Sequence, residues 1–274
     1  IAWALLPLVR RDAQARFLAV GMLLSVLPVA GTFAANRLLM FVGLGGMGLT
    51  AAFLAGVFAG ADWLPQKRVR RVAFRVCGWV LVVSHLVIAP VGLALGSSGT
   101  RALGDAERTA IATLPADPAI AAQDLVIVNA PDFLVYVMHV QALKTLAGEP
   151  FPRRVRALAP APVPLIVERV DDRTIDIRLQ GSLFAGPLAP LFQNRQRPVE
   201  AGHRVELTGM TVTVLEANGR GDVSAARFMF DVPLEDSSLR WVRWEGEGYV
   251  PFVPPAIGGR VELAPARGLL EELR

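Results

Sequence analysis

The chain has 274 residues, 53% of them hydrophobic and only 19% charged, with a net charge of +4. Together with a mean hydropathy of +0.44, these values exclude an ordinary water-soluble composition and point to a membrane protein. The charge is unevenly placed: residues 1–96 carry nine Lys/Arg against Asp12 and Asp62, a net of +7, while residues 97–274 carry 19 against 22 acids, a net of −3. A nucleic-acid surface needs clustered positive charge on the soluble part, so nucleic acid is not an expected partner.

The chain opens on Ile1, and Ile1–Val9 reads as the end of an apolar helix too short to span a bilayer. The chain is therefore expected to be a C-terminal piece of a longer multi-span protein, with residues 1–96 as its membrane region. Three apolar runs follow, over residues 17–35, 38–60 and 76–96. Each is close to the ~20 residues that cross ~30 Å of hydrocarbon, and none shows the polar stripe of a globular surface helix. The lipid bilayer and other membrane helices, of the same longer chain or of a complex, are the expected partners.

Arg10, Arg11 and Arg16 precede the first run, and Lys67, Arg68, Arg70, Arg71 and Arg75 lie around the link between the second and third. Only Arg37 sits in the intervening link. The positive-inside rule then places residues 10–16 and 61–75 in the cytoplasm and residues 97–274 outside it. Two lysines beside 26 arginines, with abundant Ala and Gly, suit a high-GC bacterial genome. The expected location is thus the bacterial inner membrane, with the tail on the extracytoplasmic side.

In the second run Gly48, Ala52, Gly56 and Gly60 recur every four residues, a row that lets helices approach closely in lipid. The same run contains Gly43-Leu44-Gly45-Gly46-Met47-Gly48, which matches G-x-G-x-x-G. A dinucleotide site requires a preceding strand and a following amphipathic helix; an unbroken apolar run supplies neither, so the pattern is read as helix packing. Ser84 and His85 are polar groups inside the third run. Intramembrane polar residues raise a functional suspicion, against which stands a local hydrogen bond to a helix backbone. Cys77 is the only cysteine. No disulfide framework follows from one cysteine, and neither a metal nor a cofactor is expected.

Residues 97–124 read as a juxtamembrane connector with a short helix near Ala106–Thr113, and residues 125–274 as an extracytoplasmic α/β domain. Leu125–Val128 is a continuous apolar strand, Asn129–Asp132 a turn, Phe133–Ala147 a helix and Arg154–Leu158 a second strand. That order predicts a right-handed βαβ-like unit. From Pro164 onward, short runs at Leu165–Val170, Thr174–Leu179, Arg204–Leu207, Thr211–Leu215, Arg227–Phe230 and Tyr249–Val253 predict a mainly antiparallel β assembly. The fold class is a membrane α-helical region plus a soluble α/β domain.

Thr32–Gly48, Leu125–Asp132 and Phe228–Pro255 resemble stretches of a group of uncharacterised bacterial multi-span membrane proteins with a C-terminal soluble α/β domain. That resemblance implies a membrane part joined to a soluble tail and brings no activity with it.

Asn129 and Asp132 stand at the carboxyl end of an expected parallel strand, where α/β sheets place ligands; helix capping accounts for both residues as well. With Arg153 and Arg154 on the next strand, they form the candidate ligand-binding set. Arg156 alternates with Arg154, either for an anion or simply along an exposed strand face. The pairs Asp171/Asp172 and Glu235/Asp236 are carboxylate pairs of the kind glycosidic chemistry uses, but they lie in turn-like contexts. No catalytic residue is assigned. The functional expectation is that the exported domain is a binding or assembly module. The alternative is a membrane-embedded enzyme acting on a lipid-linked or envelope substrate, with its catalytic residues mainly upstream of Ile1.

Overall fold

A computed structural model describes residues 2–31, 36–160, 162–185, 194 and 196–268. They divide into two compact units, Ile1–Ser98 and Gly99–Arg274.

The first unit is helical. Helix α1 (Ala2–Arg11) leads into α2 (Ala13–Ala30), whose N-terminus is capped by Asp12: its Oδ1 accepts the N–H groups of Gln14 and Ala15 at 2.7 and 3.0 Å. A short 3-10 turn at Asn36–Leu39 precedes α3 (Met40–Ala59), and α4 (Arg68–Val83) follows. Gly60 ends α3 at φ 74°, in the left-handed region where a Cβ is penalised. Three helical stretches, Ala13–Ala30, Met40–Ala59 and Arg68–Ala112, are long and apolar enough to cross a membrane. Phe17, Leu24, Leu27, Leu44, Leu86 and Leu93 are each more than half exposed, a surface that water would not stabilise.

The third stretch is not a plain α-helix. Ser84–Ile88 forms a π-turn in which the Ala89 N–H reaches the Ser84 carbonyl, five residues back. Pro90 has no N–H for the Leu86 carbonyl and its ring would clash there, so a widened turn is the expected local response. Helix α5 (Ala89–Ala112) then continues through Ser97, Ser98 and Gly99. A break at those residues, and a separate short helix near Ala106–Thr113, do not occur. The Ser97 hydroxyl bonds its own helix at the Ala94 carbonyl (2.8 Å), and the flanking Ala, Leu and Arg residues are strong helix formers.

The second unit is a three-layer α/β assembly. Strand β1 (Asp124–Asn129) pairs in parallel with β2 (Arg154–Ala159), as the βαβ reading expects. The intervening helix is broken into α6 (Phe133–Tyr136) and α7 (Val140–Leu146). Strand β8 (Leu239–Glu245) runs parallel to β1 on its other side and turns into β9 (Gly248–Pro251), giving the order β2-β1-β8-β9. The second sheet is antiparallel and six-stranded, in the order β10-β3-β4-β7-β6-β5. Its strands are β3 (Leu165–Arg169), β4 (Thr174–Leu179), β5 (Arg204–Leu207), β6 (Met210–Ala217), β7 (Val223–Phe230) and β10 (Arg260–Leu263).

Strand alternation explains the layers. Val126 and Val128 of β1 face the antiparallel sheet, in a core with Ile175, Ile177, Phe228 and Trp241. Leu125 and Ile127 face the helices, in a core with Ile111, Tyr136, Val140 and Trp244. Buried on both faces, β1 reads as an unbroken apolar run. On the helix side the Tyr249 hydroxyl donates to the Tyr136 carbonyl at 2.7 Å, and burial pushes that phenol well above its ordinary range.

Candidate functional site

A buried carboxylate ringed by arginines lies at the amino end of β1 and β2. Asp124 begins β1 and is 3% exposed. The parallel register sets it opposite Arg154, and three guanidinium groups converge on it. Arg153 Nε reaches Oδ1 at 2.9 Å, Arg154 Nε reaches both carboxylate oxygens at 2.8 and 2.9 Å, and Arg156 Nε reaches Oδ2 at 3.2 Å. Burial works to raise this carboxyl, but the hydrogen bonds from Arg154, Arg153 and Arg156 outweigh it and hold the group below the usual carboxylate range.

Among the described residues Asp124 is the carboxylate paired with each of these arginines. One negative charge therefore faces three positive ones. Arg156 is almost fully buried and also donates to the Thr208 carbonyl, whereas the Arg153 and Arg154 side chains remain 48% and 34% exposed. Beside them is a cavity of about 380 Å³ walled by Phe133, Val137, Met138 and Gln141. Gln141 fixes the strand entry, donating its Nε2 to the Pro152 carbonyl at 3.0 Å.

β2 is also the end strand of its sheet among the described residues. The Arg153 N–H bonds the Gln123 carbonyl, and the Ala159 carbonyl accepts from the Ala130 N–H. In a parallel ladder a residue's N–H and C=O point to one side, and alternate residues point to opposite sides. Arg154, Arg156 and Leu158 consequently direct their backbone groups to the outer edge, next to the excess positive charge.

The structure does not bring the four expected ligand-binding residues together. Asn129 lies at the opposite end of β1, about 16 Å along the strand from Asp124 at ~3.3 Å per residue. Its Oδ1 accepts the Trp244 N–H at 2.9 Å, joining β1 to β8. Its Nδ2 is buried and lacks a hydrogen-bond partner. Asp132, rather than Asn129, caps α6 by accepting the Val135 N–H at 3.0 Å. Burial pushes the Asp132 carboxyl up, against the lowering effect of the Val135 and Leu134 N–H groups. Arg153 and Arg154 belong instead to the Asp124 cluster, which also recruits Arg156.

Elsewhere the candidate groups are engaged structurally. His85 bonds its own helix, Nδ1 to the Leu81 carbonyl at 2.9 Å, and Ser84 opens the π-turn. In the small-residue row, a Cβ on Gly48 would lie 2.9 Å from Leu18 of α2 and one on Gly56 would meet the Trp63 ring, while Gly60 meets nothing within 4 Å. Gly45, outside that row, faces α2 still more closely; Ala52 packs against the helical core. Asp171 accepts the Arg173 N–H within its turn, and Glu235 pairs with the buried Arg169. Trp241 and Trp244 lie in the two cores of the second unit. Among the described residues no group of three or more His, Cys, Asp or Glu side chains is placed to hold a metal.

Asp124 was the site residue missed from sequence. Its signal, a lone acid immediately before an apolar run and three arginines near the start of the partner strand, gains meaning only once the parallel register is fixed. No protein-family model, curated protein or solved structure matches the chain.

Proposed function

We propose that this is a bacterial inner-membrane protein whose extracytoplasmic C-terminal unit is an assembly module, receiving an extended acidic segment of a partner protein along the outer edge of β2. The carrying observation is the arginine cluster: three guanidinium groups share one carboxylate beside a strand edge with outward-facing backbone groups. Strand addition takes its affinity from main-chain hydrogen bonds and its specificity from side chains at alternate positions. Arg153 and Arg154, partly exposed, supply charge selection for Asp or Glu. The helix-side cavity accommodates the segment's apolar side chains.

Membrane insertion is supported by the three long apolar helices and their exposed Leu, Val and Phe side chains. Orientation is supported by geometry within the first unit. Arg11 Nη1 donates to the Asp62 carbonyl at 3.1 Å, so the α1–α2 junction and the link after α3 share one end of the bundle. Both carry basic residues, as cytoplasmic links do.

The test is fluorescence anisotropy of the full chain in detergent micelles with labelled peptides of alternating Glu and Val, or of alternating Lys and Val. Saturable, salt-sensitive binding of the Glu peptide alone is expected, weakened at least about tenfold when Arg153 and Arg154 are both changed to Ala. Equal binding of both peptides, or no effect of the double substitution, would refute the reading.

A further inference from the structure

The first unit holds a second cluster of arginines, also beside a cavity. A cavity of about 320 Å³ is bounded by Arg10 and Arg11 at the end of α1, by Trp63 in the link after α3, and by Arg70 and Phe74 of α4. Among the described residues no carboxylate forms an ion pair with Arg10, Arg11 or Arg70, whose side chains lie on exposed residues. Of the acids nearby in sequence, Asp12 caps α2 with its carboxylate, and Asp62 meets Arg11 through its backbone carbonyl, its carboxylate forming no ion pair with the three arginines.

The cavity's walls are apolar where its rim is basic. Phe74 is 1% exposed and packs on Trp63 and Phe53 at ring-centroid distances of 6.2 and 5.9 Å, closing the floor. Leu6 and Pro7 continue an apolar surface away from the arginines along α1. Arg71 Nε to the Pro65 carbonyl (3.4 Å) and Arg11 to the Asp62 carbonyl (3.1 Å) hold the link in place. Arg70 sits in the first turn of α4, where the helix dipole adds to its positive charge. Like charges gathered on one rim without ion-pair partners repel each other, and a bound anion reduces that repulsion. Guanidinium forks match phosphate oxygens in geometry as well as charge. The position, at the basic end of an apolar bundle, is where a phospholipid headgroup meets a membrane protein.

We infer that the cavity lined by Arg10, Arg11 and Arg70 is a phosphate site that holds the headgroup of an anionic phospholipid, with acyl chains lying along the apolar side of Leu6 and Pro7. The inference rests on membrane insertion and not on the role of the C-terminal unit. Carbonate extraction of membranes tests insertion by itself: release of the chain would refute insertion, whereas retention leaves the lipid site to its own experiment.

That experiment measures the melting temperature of the full chain in detergent during titration with phosphatidylglycerol, phosphatidylcholine or inorganic phosphate. Phosphatidylglycerol is expected to raise the midpoint saturably and phosphatidylcholine to leave it unchanged, with inorganic phosphate acting only at far higher concentration. Arg10→Gln and Arg70→Gln should each raise the half-saturating phosphatidylglycerol concentration about tenfold. Arg75→Gln, outside the cavity, should not. Paired Lys replacements, which keep charge but lose the fork, should retain part of the response if the glutamine variants prove too unstable to titrate. Equal effects of the two lipids, or unaltered titrations in the Arg10 and Arg70 variants, would overturn the site. A response to inorganic phosphate as strong as that to phosphatidylglycerol would overturn the lipid assignment.

Discussion

Replacing Asp124 with Asn removes the single negative charge that three arginines share, while nearly preserving shape. Arg156 decides the magnitude. It is 8% exposed and has its Nε on Asp124, so the variant leaves a buried guanidinium without its counter-charge. Breaking a buried ion pair by removing one partner costs about 3–5 kcal/mol. The partly exposed Arg153 and Arg154 pairs add only ~0–1 kcal/mol each. The Asn oxygen still accepts one hydrogen bond, and Arg156 keeps its contact to the Thr208 carbonyl. A net loss of about 3 kcal/mol follows. With a urea dependence of ~2 kcal/mol per molar, that lowers the midpoint by ~1.5 M. Pulse proteolysis of the full chain in detergent, following loss of the C-terminal unit, measures it. Changing Asp124 to Leu and Arg156 to Met together should recover most of the loss, because no buried charge is stranded. A single-variant loss below ~0.5 kcal/mol, within the range of ordinary surface changes, would refute the buried-charge argument.

The pH dependence has a defined sign. Asp124 titrates below its unfolded value, so its contribution is complete above the ordinary carboxylate range and disappears as pH falls through the depressed value; in Asp124→Asn that acid-side loss should vanish from a proteolysis–pH profile. Asp132 has the opposite sign: its raised carboxyl favours the folded state at low pH, and the advantage is lost as pH rises through the raised value. Asp132→Asn keeps the cap and should abolish that loss, so a profile identical to the parent's would count against its burial. In the membrane unit, a Cβ on Gly45 would stand 2.8 Å from Met22 Cβ and 2.9 Å from the Leu18 carbonyl oxygen, whereas one on Gly43 meets nothing within 4 Å. Gly45→Ala should therefore destabilise the detergent-solubilised chain by about 1–3 kcal/mol, and Gly43→Ala should be neutral or stabilising by up to ~1 kcal/mol; melting curves of the two variants separate them.

The coarse architecture was legible because strong local signals carried it. Uninterrupted apolar runs announced the long helices, and the apolar Leu125–Val128 run announced a strand buried on both faces. Turn residues bounded β3, β4, β5 and β6. Two local signals misled. Ser97-Ser98-Gly99 suggested a helix end but sits inside α5, where long helical flanks outweigh three weak formers. Phe133–Ala147 suggested one helix, yet it breaks between Tyr136 and Val140. The parallel pairing of β8 with β1 joins residues more than a hundred positions apart, and no local pattern encodes such a partnership. The site shared that limit. Arg153 and Arg154 were visible as basic residues, but their counter-charge at Asp124 depended on register. Asn129 and Asp132 were visible as a loop at a strand's end, but one ties two strands together and the other caps a single-turn helix.

Orientation is the most direct test of the account, since the proposed binding role needs the second unit outside the cytoplasm and the proposed lipid site needs the basic links of the first unit on the cytoplasmic side. Arg220 and Gln66 are exposed positions in the second and first units. In a Cys77→Ala background, Arg220→Cys and Gln66→Cys would each be exposed in intact cells to a membrane-impermeant maleimide. The account predicts labelling of the Arg220→Cys protein before lysis and of the Gln66→Cys protein only after permeabilisation. Labelling in the reverse order, or of both in intact cells, would contradict it.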